Sequence, residues 1–281
     1  MPRLRVAVAC AGVALFLTAC SGGGAATPEA KGTGGEHTTK SKPTRTVTPP
    51  PAPKVGECRD LTYADISLYS DSAPARPCAK PHTSYTFAVD QLPDDVAFDG
   101  VQIANDAVQG AAADACQQSF ASFVGGDTAD RALTRLTVTY FLPKQVGFDA
   151  GAHWVRCDIV ALESATSLAP LPRRLEGFLE KDAASDYDVC SRGDPATTGS
   201  ALVMCTQDHT YRAVAALRLG GSGASYPGEQ AALSDGKQRC EDTISSLLGI
   251  SGGFTYSWTY PSASDWSAGQ RFGYCWNHTQ S

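Results

Sequence analysis

Long apolar runs and positive charge are both scarce in this sequence. The longest apolar run, residues 6–17, is shorter than the roughly 18 residues that a membrane-spanning helix needs. Seven of the 23 basic and two of the 29 acidic residues lie in 1–54, which leaves 16 basic and 27 acidic residues in 55–281. The resulting net charge of −11 argues against binding to the phosphates of a nucleic acid. Neither an integral membrane protein nor a nucleic-acid binder is therefore expected.

Motifs of the common catalytic sites are missing as well. The chain has no G-x-S-x-G, no H-E-x-x-H, no G-x-x-x-x-G-K and no G-x-G-x-x-G followed by an acidic residue. Asp94 and Asp95 follow a Leu-Pro pair that indicates an exposed turn, and Asp60, Asp65 and Asp71 lack the spacing of a calcium loop. We therefore expect no enzyme, no cofactor and no metal site.

The N-terminus reads as an export signal. Arg3 and Arg5 precede the apolar run, which ends in Leu-Thr-Ala-Cys at 17–20 and resembles the bacterial lipobox. In that motif the chain is cut before the cysteine, and the cysteine is lipidated. We therefore expect a signal peptide over 1–19 and a lipid anchor on Cys20, at the extracytoplasmic face of the cell membrane. The alternative is an ordinary signal peptide with an incidental cysteine.

Residues 20–54 are predicted to be the lipidated cysteine and a disordered tether. Of the 34 residues in 21–54, 21 are Gly, Ser, Thr or Pro, and none is aromatic. Such a composition cannot bury enough surface to offset the entropy lost on ordering. The tether would hold the remaining chain away from the membrane surface.

Apart from Cys10 and Cys20, the cysteines form two sets of four whose surroundings repeat. Three blocks align in one order, at offsets of 127, 124 and 118 residues, which indicates a duplication. The aligned pairs include Cys78 with Cys205, His82 with His209, Cys116 with Cys240, Phe120 with Ile244, Pro143 with Pro261, Trp154 with Phe272, and Cys157 with Cys275.

Each copy shows a β–β–α–β–β pattern of apolar residues. Strands are predicted over 83–89, 136–142 and 154–162, and over 254–260 and 270–276. An apolar stripe predicts a helix over 101–124, and its counterpart carries Leu233, Cys240, Ile244 and Leu247. The predicted fold class is α+β, with two tandem disulfide-stabilised units, each a small antiparallel sheet packed on one helix.

The eight cysteines of the body are expected to form disulfides rather than a zinc site. Structural zinc needs closely spaced cysteine pairs, whereas the gaps here are 20, 38 and 41 residues, then 15, 35 and 35. Export also favours oxidised cysteines. Each set allows three pairings, and we favour first with second and third with fourth, because the third lies on the helix stripe and the fourth on the last strand. The cysteines are Cys58, Cys78, Cys116 and Cys157, then Cys190, Cys205, Cys240 and Cys275.

Two histidines and an aromatic cluster near the C-terminus are the candidate binding residues. Aromatic side chains at alternating strand positions belong more often to a core, but on an outer face they suit sugars or a protein partner. The histidines are expected to bond the main chain beside a disulfide. The candidates are His82, His209, Trp258, Tyr260, Trp266 and Trp276.

The order of these features resembles a known family. The lipobox and tether precede C-x-x-P-H at 78–82, Y-x-x-P at 140–143, an aromatic-x-x-G at 148–151 and a final cysteine, and the second copy repeats most of this. The combination resembles the septum-formation domain family of actinobacterial envelope proteins. Asp208, in place of a proline, and Phe148, where tryptophan is commoner, depart from the pattern. The resemblance implies two such domains, over 55–163 and 184–281. The sequence pattern predicts a linker between them over 164–183, with a short helix over 171–182.

The function favoured by the sequence is a lipid-anchored binding or scaffold protein of the cell envelope that acts in septum formation. Its expected partners are the membrane, through the anchor, and division or cell-wall proteins or glycan. A second interpretation is a lipoprotein that binds a solute or a cell-wall polymer. A third is a hydrolase that uses His82 or His209, which a deep polar pocket beside a nucleophile would favour.

Overall fold

Two antiparallel sheets of five strands, each packed against a long helix, dominate the structure. It is a computed structural model, and it describes residues 47–279. The described residues belong to one folded unit. The predicted signal peptide, Cys20 and most of the tether lie outside the described residues. None of the helices in 47–279 combines the length and the hydropathy that a bilayer span requires.

The elements follow one another as the periodicities predicted, with short additions. The strands are β1 (Cys58–Arg59), β2 (Ser84–Gln91), β3 (Leu136–Phe141), β4 (Trp154–Leu162), β5 (Leu168–Ala169), β6 (Val189–Ser191), β7 (Leu202–Met204), β8 (Tyr211–Arg218), β9 (Tyr256–Thr259) and β10 (Phe272–His278). The helices are α1 (Asp106–Val124), α2 (Thr128–Ala132), α3 (Gln145–Phe148), α4 (Glu229–Leu248) and α5 (Ala263–Ser267). The strand predicted over 154–162 is confirmed residue for residue as β4.

Four strands of each sheet match in order, β1, β2, β4 and β3 with β6, β8, β10 and β9, whereas β5 and β7 lie at different places. The first sheet has the order β1-β2-β4-β3 with β5 beside β4, and the second has the order β7-β6-β8-β10-β9. Each sheet carries a bulge on its first long strand, at Phe87 of β2 and at Val214 of β8. The matching cross-strand pairs are Tyr140–Cys157 with Trp258–Cys275, and Ala88–Cys157 with Ala215–Cys275.

Helix α1 is shorter than its apolar stripe predicted. The side chain of Asn105 accepts a hydrogen bond from the N–H of Ala107 at 2.9 Å, which caps the helix. The prediction of a helix starting at residue 101 was therefore wrong by five residues, although Val101 is buried in the core. The helix buries one residue per turn against β2, β3 and β4, namely Val108, Ala112, Cys116, Phe120 and Val124.

Helix α4 buries two of the four predicted stripe residues, Cys240 and Ile244. Leu233 and Leu247 are 39% and 62% exposed, so their assignment to the buried face was wrong. The indole ring of Trp258 fills the space between α4 and the sheet. On the face of α4 that packs against the sheet, there is therefore room only for a small residue such as Gly236. The buried residues of α4 are Ala232, Gly236, Cys240 and Ile244.

Residues 164–183 are packed against the first sheet. The segment contains β5, and Leu171, Leu175 and Phe178 are buried in the hydrophobic cluster beneath α1. The short helix predicted over 171–182 is not formed. Gly177 adopts a left-handed conformation with φ of 56°, which interrupts a helix, and the chain forms 3₁₀ turns at Phe178–Glu180 and Asp182–Tyr187 instead.

Disulfides tie each long helix to its sheet. Cys116–Cys157 joins α1 to β4, and Cys240–Cys275 joins α4 to β10, each with a Cα–Cα distance of 5.3 Å. The other two bridges, Cys58–Cys78 and Cys190–Cys205, close shorter loops. The favoured pairing of first with second and third with fourth cysteine is confirmed.

Candidate functional site

The two matching histidines make the same main-chain hydrogen bond. Because a carbonyl oxygen only accepts, Nδ1–H of His82 donates to the carbonyl of Lys80 at 2.9 Å, and Nδ1–H of His209 donates to the carbonyl of Gln207 at 2.8 Å. His82 is 2% exposed, so a substrate in solution has little access to its ring. This geometry matches the expected local structural role at the start of β2 and β8.

Replacing these histidines is therefore expected to lower stability without changing activity. His82→Ala should cost about 1–3 kcal/mol, because it removes a buried side chain together with its hydrogen bond to the Lys80 carbonyl, and half-buried His209→Ala should cost less. Thermal unfolding followed by circular dichroism measures both. His82→Asn is the matched control, since an amide N–H can replace Nδ1–H and recover part of the loss. An alanine variant that melts like wild type but loses all complementation in cells would contradict this role.

One group of metal-type ligands occurs among the described residues, beside the second histidine. The ligand atoms of Cys190, Cys205 and His209 lie within 4.8 Å of one another. The two sulfurs are bonded to each other, and zinc binds cysteine as a free thiolate. In this oxidised form the group does not fit a metal ion.

The outer face of the first sheet, opposite α1, is covered by residues 60–77. The N–H of Leu142 donates to the carbonyl of Tyr69 at 2.7 Å, and the hydroxyl of Ser70 donates to the carbonyl of Pro143 at 3.1 Å. This segment therefore seals the ends of β3 and β4 from solvent.

A buried charge network lies under this cover. Asp158 is fully buried and accepts hydrogen bonds from the hydroxyls of Ser84 and Thr86 at 2.6 and 2.7 Å. The Nη2 atom of Arg156 lies 3.0 Å from Asp158 and 2.8 Å from Asp71. Because every charge here is paired and inaccessible, the network stabilises the covered face and offers no binding surface.

The outer face of the second sheet is only partly covered. The segment 192–201 crosses it, and Asp194 accepts a hydrogen bond from the hydroxyl of Ser257 at 2.6 Å. Beside this segment lies a cavity of about 580 Å³, which we call the aromatic groove. Its floor is a row of rings at alternating positions of β10, formed by Phe272, Tyr274 and Trp276.

The aromatic groove collects residues from distant parts of the chain. Thr134 and Arg135, between α2 and β3, contribute to its lining, although they belong to the first half of the chain. The N–H of Arg135 donates to the carbonyl of Tyr187 at 2.6 Å, which joins the two halves beside the groove. Further lining residues are Pro195, Thr197, Ser200, Thr259, Tyr260, Pro261, Asp265 and Gln270.

The structure separates the predicted binding residues. Tyr260 and Trp276 line the aromatic groove, and Trp276 Nε1–H donates to the Thr259 hydroxyl at 2.9 Å. Trp258 faces α4, where its Nε1–H donates to the carbonyl of Ala232 at 3.0 Å. Trp266 is buried under the guanidinium of Arg271, which lies 4.3 Å from the ring centre. His82 and His209 do not line the groove.

The groove is polar at its edges and holds protonated phenols. Tyrosine hydroxyls are protonated at neutral pH and can donate hydrogen bonds. Burial raises the pKa of Tyr274 further, and burial together with Glu229 raises the pKa of Tyr260. Hydrogen bonds from Ser262 lower the pKa of Asp265, which keeps this rim carboxylate charged. The groove therefore offers aromatic faces, hydroxyl donors and one exposed anion.

Several of these residues were missed by the sequence reasoning. The alternation of Phe272, Tyr274 and Trp276 was visible, but the part played by Arg135 depends on how the halves pack. Arg156 and Asp158 interrupt an otherwise apolar strand, and this could have indicated the buried charge network.

Comparison with known proteins gives one match. No curated protein and no solved structure is significantly similar to the chain. A family model described as "Septum formation" matches residues 55–275 as one continuous stretch, which spans both sheets. Since this match covers well over half of the 281 residues, the chain belongs to the septum-formation family.

Proposed function

We propose that this protein is a lipid-anchored, non-catalytic binding or scaffold protein of the actinobacterial cell envelope, and that it acts in septum formation through the aromatic groove. Family membership supports the link to the septum. The observation that carries the binding function is the row of rings on the floor of an open groove. Clefts that combine apolar rings with a few polar groups are the usual form of binding sites.

We further propose that the body arose from two tandem copies of one unit, each with one long helix. The matching strand order, the matching register and the bulge at Phe87 and Val214 support this. The copies have diverged on their outer faces, since Arg156 and Asp158 of the first correspond to Tyr274 and Trp276 of the second. The first face is sealed, whereas the second is available for binding.

The alternative functions receive unequal support. The hydroxyls and rings of the groove would also suit a cell-wall polymer, because sugars stack on aromatic faces and bond to hydroxyl groups. A hydrolase has less support, because His82 is buried and both histidines engage main-chain carbonyls.

Cys20→Ala tests the anchor. Without the thiol that receives the lipid, the protein should appear in the medium or accumulate as an uncut precursor, whereas wild type should fractionate with membranes. Mass spectrometry of the mature N-terminus and membrane fractionation measure this. Cys10→Ala is the matched control and should behave like wild type. A Cys20→Ala variant that is processed and sediments with membranes would contradict the anchor.

Gln270→Trp tests the function of the groove. Gln270 is exposed at the edge of the groove, so a tryptophan there should fill it without disturbing the core. In dividing cells, we expect this variant to capture much less partner protein by crosslinking than wild type does, and we expect septation to be impaired. Val146→Trp, at an exposed site on the first half, is the control. A Gln270→Trp variant with wild-type capture and septation would show that the groove does not carry the function.

A further inference from the structure

The end of the tether is seated on the first half of the chain. The Nε1–H of Trp154 donates to the carbonyl of Pro50 at 3.3 Å. The Pro50 ring lies against Gly147, so closely that a Cβ on Gly147 would come within 2.7 Å of Pro50 Cγ. Val47 and Thr48 line the same site, together with Leu142 and Pro143. This half therefore holds the proline-containing segment 47–50 against a tryptophan and a glycine.

The same position in the second half lies in the aromatic groove. The 118-residue offset that relates Cys157 to Cys275 also places Phe272 at the position of Trp154. It places Tyr260, Pro261 and Asp265 at the positions of Leu142, Pro143 and Gly147. All four of these second-half residues line the aromatic groove.

Within residues 47–279, no equivalent of the tether end reaches this second position. The residues before β6 take another course: Ala184 packs into the core of the first half, and the carbonyl of Tyr187 bonds to Arg135. In the part of the chain that the structure describes, the second position therefore remains an open cavity.

We infer that the aromatic groove binds an extended proline-rich segment of another protein, in the manner in which the first half holds residues 47–50. This assignment rests on the proposed binding function and names its partner class. Proline-rich segments are extended before binding and dock on aromatic grooves at low entropic cost. Because Pro50 is already engaged on the first half of its own chain, residues 47–50 do not supply the segment in the groove, and we assign that segment to another protein.

Three differences between the halves define what the groove prefers. Phe272 lacks the N–H with which Trp154 holds Pro50, but the Tyr260 hydroxyl and the Gln270 amide supply donors for a backbone carbonyl. Asp265 carries the side chain that Gly147 lacks, so a proline ring lies over Phe272 rather than against α5. The exposed carboxylate of Asp265 favours a lysine or arginine next to the prolines.

Fluorescence anisotropy with a labelled peptide tests this assignment. The probe is Val-Thr-Pro-Pro-Pro-Ala-Pro-Lys, which has the sequence of residues 47–54, and the protein is the full chain in detergent. We expect saturable binding at one site, and a loss of affinity of about tenfold or more in Phe272→Ala and in Gln270→Trp. Val146→Ala, at the corresponding site of the first half, should bind like wild type. A peptide with alanine in place of every proline should not bind.

Other outcomes would overturn the assignment. These are no binding of the probe by a folded protein, equal binding of the alanine peptide, or binding that is unchanged in both groove variants. If chitotetraose displaces the probe, and its own binding is weakened by Phe272→Ala and Gln270→Trp, the groove is a glycan-binding site instead. A dimer that depends on the groove in analytical ultracentrifugation would assign it to a second copy. If the probe fails to bind while Gln270→Trp still loses capture in cells, the proposed function stands and only this partner class is wrong.

Discussion

Gly236→Ala is expected to destabilise the protein by about 3 kcal/mol, although alanine normally stabilises a helix relative to glycine. Gly236 is in the middle of α4, and a Cβ there would lie well under 3 Å from the indole ring of Trp258. Gly273 on β10 faces the same ring at a similarly short distance. The two glycines form a slot for Trp258 between helix and sheet, so an added methyl group must displace the ring or the helix.

Thermal unfolding with the disulfides intact measures this effect. A loss of about 3 kcal/mol corresponds to a fall in Tm of about 6–12 °C for a chain of this size. Gly110→Ala is the matched control, because Gly110 is exposed on α1 with open space around it, and it should gain about 1 kcal/mol. If Gly236→Ala also raises the Tm, the packing of Trp258 against α4 is wrong.

Asp158→Ala is expected to cost about 3–5 kcal/mol, because it leaves the buried Arg156 with an incomplete set of partners. The substitution also removes the acceptor of the Ser84 and Thr86 hydroxyls, which are buried with it. Urea denaturation followed by fluorescence measures the free energy of unfolding.

Asp60→Ala is the control for this prediction. Asp60 lies 2.6 Å from Arg76, but 64% of its side chain is exposed, and surface pairs of this kind contribute less than about 1 kcal/mol. The double variant Asp158→Leu with Arg156→Met should recover only part of the loss, because it removes this buried pair together but leaves the buried Asp71 with Arg59 alone, at 3.9 Å. Equal effects of Asp158→Ala and Asp60→Ala would contradict the buried network.

Local patterns predicted much of the fold. The strand 154–162 was found with correct bounds because its apolar run ends sharply at both sides. The disulfide pairing was predicted correctly because Cys116 lies on the apolar stripe of α1 and Cys157 lies on the last long strand of the first half of the chain. The prediction was wrong where a single residue sets the end of a helix. Asn105 caps α1 so that it begins at residue 106 rather than 101, and Gly177 interrupts the short helix expected over 171–182.

The stripe of α4 shows why periodicity alone is insufficient. The sequence favoured Leu233 and Leu247 as buried residues because both are large and apolar. The structure instead buries Gly236 on the helix, because a ring from β9 occupies that space. A one-dimensional pattern contains the helix period, but it does not contain the shape of the opposing surface.

The sequence by itself predicted the α+β class and favoured the observed cysteine pairing, because both depend on spacing along the chain. Tertiary structure alone decided that residues 60–77 seal the first outer face, while 192–201 leave a groove on the second. That difference arises from contacts between residues far apart, such as Asp71 with Arg156 and Arg135 with Tyr187. Which face of a sheet is open depends on the path of every segment that crosses it, and only the folded chain defines that path.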